Sequence, residues 1–186
     1  MNEVEAVKDL DMIKTIELVL TDQYGKLYGD IWKVGINTAL RITDLLSVRY
    51  DQLEDESLII TEQKTGKTRS ITLNKAVLEV VSRRKLDNSK HEYLFQSDSN
   101  RSRSLNKPVS RVAVSKAFKA VGDRNSIKIR LGTHSMRKTR GYHLLKSGKP
   151  LEQISKILGH SSPAITMRYI GLDADMVKQS YDDLVL

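Results

Sequence analysis

Apolar side chains at Val7, Leu10, Ile13, Ile16, Leu18 and Leu20 recur at roughly helical spacing and predict a first helix over Val7–Leu20. A second helix over Leu27–Leu40 turns Ile31, Val34 and Leu40 inward. Arg41 follows directly, and I-T-D-L-L-S-V then resumes an apolar pattern through Leu45, Leu46 and Val48. The runs Leu58–Gln63 and Arg69–Leu73 are short and β-branched, and K-T-G-K-T joins them, so they predict a β-hairpin. Asn74 is placed to cap a helix that carries Val77, Leu78, Val80 and Val81 as far as Leu86.

From Asp87 to Pro108 the chain is polar and turn-rich, anchored only by Tyr93, Leu94, Phe95 and Leu105. Ser110 can cap a helix with Val112, Val114, Ala117, Phe118 and Val121 on its apolar side, ended by Gly122 and Asp123. Thr133 suits the N-cap of a helix to Ser147, stopped by Gly148. Pro150 opens the next helix, which ends at Gly159, and Pro163 opens another. A last helix is expected over Asp173–Leu186, with Met176, Val177, Tyr181 and Leu184 available for packing. No internal repeat appears. The pattern predicts one domain over residues 1–186, mainly α with a small antiparallel β-sheet (α+β).

Composition adds a partner class. With 39% hydrophobic and 29% charged residues the chain is globular rather than disordered, and its net charge of +8 points to a polyanion, most often nucleic acid. There is no cysteine, which excludes disulfide and thiolate chemistry. Only four histidines occur and no H-E-x-x-H, so no zinc site is expected. Gly66–Thr68 mimics the end of a P-loop, but Thr61 stands where that motif needs glycine, so no ATP site and no other cofactor are expected. No run is long and apolar enough to span a bilayer, and the acidic start lacks a signal-peptide pattern, so a cytoplasmic, DNA-associated protein is expected. Aromatic content of 5% gives no sign of recognition by base stacking.

The candidate chemistry lies in Thr133–Ile170. His134 and Arg137 share a helical face in a first turn, where unpaired N–H groups and the helix dipole favour an anion. Leu158-Gly159-His160 follows, and then Tyr169. Each piece alone reads as a surface pair, a helix cap or a core tyrosine. In this order, H-x-x-R, then L-G-H, then Y, the sequence resembles the tyrosine recombinase (phage integrase) family. The resemblance extends upstream. T-A-L-R-I-T-D-L-L-S-V-R-Y-D looks like the family's first arginine box, with Arg41 as the arginine and Asp44 as a supporting acidic residue. E-Q-K-T-G-K-T-R looks like the hairpin that carries the family's lysine, which is Lys64, with Lys67 as the alternative. The match runs from about Leu27 to Leu172.

The resemblance implies a catalytic-domain fold that cleaves and rejoins double-stranded DNA through a 3′-phosphotyrosyl link. Tyr169 would be the nucleophile, with Arg41, Arg137 and His160 on the phosphate oxygens. His134 would assist the phenol proton, and Lys64 the departing 5′-oxygen. Guanidinium forks suit those oxygens and stay protonated. Lys67, Arg101, Arg103, Lys107, Arg111, Lys116, Lys119, Lys138 and Arg140 are expected to hold the DNA backbone, with binding that weakens steeply in salt. Most members carry a further N-terminal DNA-binding domain, which this sequence lacks in the expected reading. Members assemble as tetramers on DNA, and Asp173–Leu186 would either dock on a neighbouring subunit or pack on its own domain. Two other readings share these features: a DNA-binding protein that keeps the fold without cutting, and a type IB topoisomerase. The occupied catalytic positions argue against the first, and the L-G-H and hairpin spacing against the second.

Overall fold

The computed structural model describes residues 4–97, 106–124 and 126–170. The first helix, α1 (Leu10–Tyr24), starts where Asp9 caps it, its carboxylate accepting from the N–H groups of Asp11 and Met12. That start is later than expected, and Val7 is buried ahead of the helix. Gly25, at φ 91°, turns the chain into α2 (Lys26–Thr38), which packs back along α1. Ile16 and Leu20 of α1 face the core, whereas Leu10 and Leu18 are exposed. Leu18 lies two positions from both Ile16 and Leu20, and such neighbours point to different sides of a helix.

After a left-handed Ala39, the short helix α3 (Ile42–Leu46) follows Arg41. The sheet has three antiparallel strands in the order β1 (Leu53–Glu54), β2 (Ser57–Thr61) and β3 (Thr68–Thr72). The β2–β3 hairpin agrees with its expectation, and β1 is an addition too short to leave a periodic trace. Leu58 faces Ile71, Ile60 faces Arg69 and Thr61 faces Thr68. Side chains alternate across a strand, so the buried positions 58 and 60 are followed on the same face by residue 62.

Asn74 caps α4 (Lys75–Asp87) by accepting from Val77 N, as expected. Ser110 likewise caps α5 (Arg111–Gly122) through Ala113 N. Val112, expected on the apolar side of α5, is exposed, because Val114, Ala117, Phe118 and Val121 form the buried stripe. Three more helices follow: α6 (Ser135–Lys146), α7 (Leu151–Leu158) and α8 (Pro163–Ile170). The expected helix over 173–186 lies outside the described residues, as does Leu105.

The larger core is built around Trp32, whose ring meets Phe118 edge-on at 5.7 Å and whose indole N–H donates to Ile13 O. A smaller core gathers Ala39, Tyr142, Ile154, Leu158 and Ile170. The candidate site lies beside the smaller core, at Ala39 and Leu158 (below). Packing at Gly122 is closed: a Cβ there would come within 2.3 Å of Ile129 O and 2.6 Å of Leu131 Cβ. Backbone cannot yield as a flexible side chain does. Gly122→Ala is therefore expected to destabilise the fold by about 2–3 kcal/mol, measured by urea unfolding. An unchanged midpoint would contradict this packing.

Candidate active site

The inner face of the hairpin continues past β2 to Glu62, which is 3% exposed. Its carboxylate is held by two hydrogen-bond donors and one further ion pair. Arg41 Nη1 reaches Oε2 at 2.6 Å, Thr65 Oγ1 donates to Oε2 at 2.9 Å, and Arg69 Nη2 lies 3.2 Å from Oε1. Burial pushes the Glu62 pKa up, but the hydrogen bonds from Thr65 and Arg41 and the charge of Arg69 outweigh it, and the net shift is downward. Glu62 therefore stays ionised and fixes Arg41. The other end of the Arg41 fork reaches Gly159 O at 3.5 Å. Glu62 was not among the residues singled out from the sequence, although an acidic side chain in register with Leu58 and Ile60 on an inward face was the available sign.

Asp44 is buried at 1% exposure, and its Oδ1 accepts from Gln63 N at 3.0 Å. It thus pins the hairpin one residue before Lys64. Its Oδ2 has no hydrogen-bond partner among the described residues.

Thr133 was the expected N-cap of α6, but His134 occupies that position, and Ser135 closes the preceding turn by accepting from Gly132 N. Arg137, one turn in, is 3% exposed. Its two terminal nitrogens donate to Ala39 O and Leu158 O, the ends of α2 and α7. Burial lowers its pKa, with the nearby Tyr169 phenol acting in the opposite sense, yet a guanidinium remains charged. Two of its five N–H groups are used by the carbonyls, and the side chain also hydrogen-bonds Tyr169.

Tyr169, on α8, is partly buried. His134 Nδ1 lies 3.2 Å from its hydroxyl, the His160 ring meets its ring edge-on at 4.9 Å, and Lys138 Nζ sits 5.4 Å from its ring centre. Lys138, expected on the DNA surface, is thus 7% exposed and inside the site. His134 is exposed on its outer side. Desolvation of the ring, and then the charges of Arg137, Lys138, Arg41 and Lys64, hold its pKa below the ordinary 6.5. Desolvation and then Arg137 and Arg41 do the same to His160. Both imidazoles are therefore neutral at pH 7.

Two cavities meet at Arg41 and Lys64. One, of about 240 Å³, also touches Arg111, Thr133, His134 and Arg137. The other, of about 510 Å³, reaches Lys67, Lys156 and His160. Lys64 borders both and its charge reaches His134, whereas Lys67 borders only the outer one. Of the expected DNA contacts, Arg111 borders the inner cavity and Arg140 a third one that it shares with Arg69 and Lys156. Lys67, Lys107, Lys116 and Lys119 are exposed, and Arg101 and Arg103 lie outside the described residues. Among the described residues, no group of three or more His, Cys, Asp or Glu could hold a metal ion, and no helix is long and apolar enough to cross a membrane.

A hydroxyl on a neutral base, beside one buried and one partly buried guanidinium and an exposed ammonium, is equipped to attack an anionic ester and stabilise the charge that develops. The model of the phage integrase family matches residues 20–176. The chain is 33% identical over 182 residues to the probable integrase/recombinase YoeC of Bacillus subtilis (strain 168), with 97% of each covered. It is 28% identical over 184 residues to tyrosine recombinase XerD of Staphylococcus haemolyticus (strain JCSC1435), covering 93% of this chain and 61% of that protein. Among solved structures, XerA recombinase superposes with a TM-score of 0.76 at 20% identity, over 97% of this chain and 66% of that one. XerH recombinase in a post-cleavage complex with palindromic difH substrate gives 0.77 at 13% identity, over 97% of this chain and 53% of that one. At these identities the two structures speak for the fold.

Proposed function

Because the chain belongs to the phage integrase family, the site-specific tyrosine recombinases, we propose that Tyr169 is its nucleophile and that strand cleavage proceeds through a 3′-phosphotyrosyl intermediate. The observation that carries this reading is the His134 Nδ1 to Tyr169 hydroxyl contact of 3.2 Å beside Arg137.

In this mechanism the Tyr169 oxygen attacks the phosphorus of a DNA phosphodiester, and its proton passes to His134 Nδ1. Depressed basicity keeps the ring neutral at neutral pH, so one of its nitrogens can accept a proton. The bond from phosphorus to the 5′-oxygen breaks, and Lys64 Nζ protonates the leaving oxygen. Arg41 and Arg137 take the non-bridging oxygens, with Glu62 and the two carbonyls holding their forks in advance. One phosphodiester is exchanged for another, so rejoining to a second 5′-hydroxyl requires no nucleotide hydrolysis.

DNA is the partner, and the cationic border running from Arg111 through Arg41 and Lys64 to Lys67, Lys156 and Arg140 supports a phosphate track across the site. Exchange between two duplexes cuts four strands, so we place four copies of the chain on DNA. Residues 1–186 act as a catalytic domain, working with DNA in the cytoplasm. The chain spans nearly all of the Bacillus relative but 61% of the Staphylococcus haemolyticus XerD.

Incubation with a nicked duplex from DNA flanking its gene tests this reading. Cleavage is expected to leave a detergent-stable protein–DNA adduct and a free 5′-hydroxyl, with chelator present. Cleavage that leaves a 5′-linked protein, or a free 3′-hydroxyl, would contradict it.

A further inference from the structure

Three hydrogen bonds run in line from α7 to His160. Ser155 Oγ lies 2.7 Å from Leu151 O and 2.8 Å from Thr166 Oγ1, and Thr166 Oγ1 lies 2.8 Å from His160 Nδ1. Ser155 is 5% exposed and Thr166 is fully buried, so water does not compete for these contacts. The backbone fixes the same pair of segments, since His160 N donates to Ser155 O at 2.9 Å.

Each of the three gaps needs one proton. A carbonyl only accepts, so the Ser155 proton points to Leu151 O. The gap between the hydroxyls must then be filled by the Thr166 proton. Nothing remains for the third gap except a proton on His160 Nδ1. A neutral imidazole carries a single N–H, which leaves Nε2 bare. Nε2 is also the one ring nitrogen not already engaged by Thr166 and so open to a ligand.

We infer that Ser155 and Thr166 are positioning residues that hold neutral His160 with its proton on Nδ1, so that His160 donates to a phosphate oxygen only after taking up a second proton at Nε2. This rests on the reading above that a phosphate sits beside His160. It changes the role expected of that residue: at neutral pH the free imidazole offers a lone pair to an anion, not a donor.

The charges that face His160 set the balance. The cations around its cavity are Arg41, Lys64, Lys67, Arg69 and Lys156, with Arg137 behind them on α6. The negative group is Glu62, already engaged by Arg41, Arg69 and Thr65, and the Tyr169 ring packs against the imidazole. Burial, and then the charges of Arg137 and Arg41, hold the free imidazole pKa below its ordinary value. A phosphate supplies the missing negative charge and raises the imidazole pKa. Binding of an anion therefore takes up a proton. Affinity is constant below the pKa of the free chain, falls about tenfold per pH unit between the free and bound pKa values, and levels off above them.

The test is nitrogen-15 NMR of the full chain labelled at histidine, free and with sulfate, an anion that does not titrate in this range. The free chain is expected to show His160 with Nδ1 protonated and Nε2 bare, and sulfate to protonate both. In Ser155→Ala the Thr166 proton is released toward Nδ1. The imidazole proton then moves to Nε2, and sulfate affinity loses its pH slope. In Thr166→Val, Nδ1 loses its acceptor, and the same slope flattens. A purely structural role would weaken sulfate binding with the slope unchanged. Wild-type His160 protonated at Nε2 in the free chain, a Ser155→Ala variant with the wild-type tautomer, or sulfate bound without proton uptake would each overturn the proposal. The tautomer is read without DNA, so it stands or falls apart from the Tyr169 adduct.

Discussion

Tyr169→Phe is expected to lose strand cleavage by about 10⁴-fold or more, the scale on which removal of a covalent nucleophile acts. DNA affinity should stay within about twofold, because the phosphate track is cationic and the phenol is no part of it. Cleavage assays on a nicked duplex and salt titrations of binding read the two quantities separately. The edge-on contact with His160 and the cation above the ring involve the aromatic face, which phenylalanine keeps. What it loses is the oxygen 3.2 Å from His134. A variant that still cuts at a comparable rate would remove Tyr169 from the chemistry. A variant that no longer binds DNA would show that the phenol organises the surface instead.

Arg137 carries the second large effect, and two substitutions separate its roles. Its fork ties α6 to the ends of α2 and α7 through Ala39 O and Leu158 O. Arg137→Lys keeps the charge but cannot hold two carbonyls and a phosphate oxygen at once, since an ammonium is a point donor. Cleavage is expected to fall about 10²–10³-fold, the usual cost of one preorganised donor on a developing oxyanion. Arg137→Ala also leaves two buried carbonyls without a donor and a cavity beside the smaller core, so unfolding stability should drop by about 2–5 kcal/mol. Denaturant melts of both variants beside cleavage rates separate the roles. If the lysine variant cleaved at the wild-type rate, the guanidinium would be structural only.

Much of this arrangement was legible in the residues. Helix caps at Asn74 and Ser110, the breaks at Gly148 and Gly159, and the hairpin around K-T-G-K-T depend on local chemistry, and local chemistry is what a sequence displays. The order of Arg41, His134, Arg137, His160 and Tyr169 pointed to the candidate site before any geometry. Tertiary choices were hidden. Helical spacing marked Leu18 and Val112 as apolar but not which side the core would take, and both face solvent. Lys138 looked like one more surface cation, and only the return of α8 over α6 places it above Tyr169. Thr133 is the better capping residue by type, yet Ser135 closes the turn and shifts the cap to His134. Glu62 lay in plain register with Leu58 and Ile60, but an acidic residue in a hairpin reads as solvated until Arg41 and Arg69 are seen on the same face.

The measurement that bears most directly on the central claim is the identity of the linked residue. Wild-type chain is trapped on a nicked duplex, digested with protease and nuclease, and the nucleotide-bearing peptide is sequenced by mass spectrometry. A 3′-nucleotide joined by phosphate to Tyr169 is the predicted result. A nucleotide carried by any other side chain, or joined through its 5′-phosphate, would contradict the account.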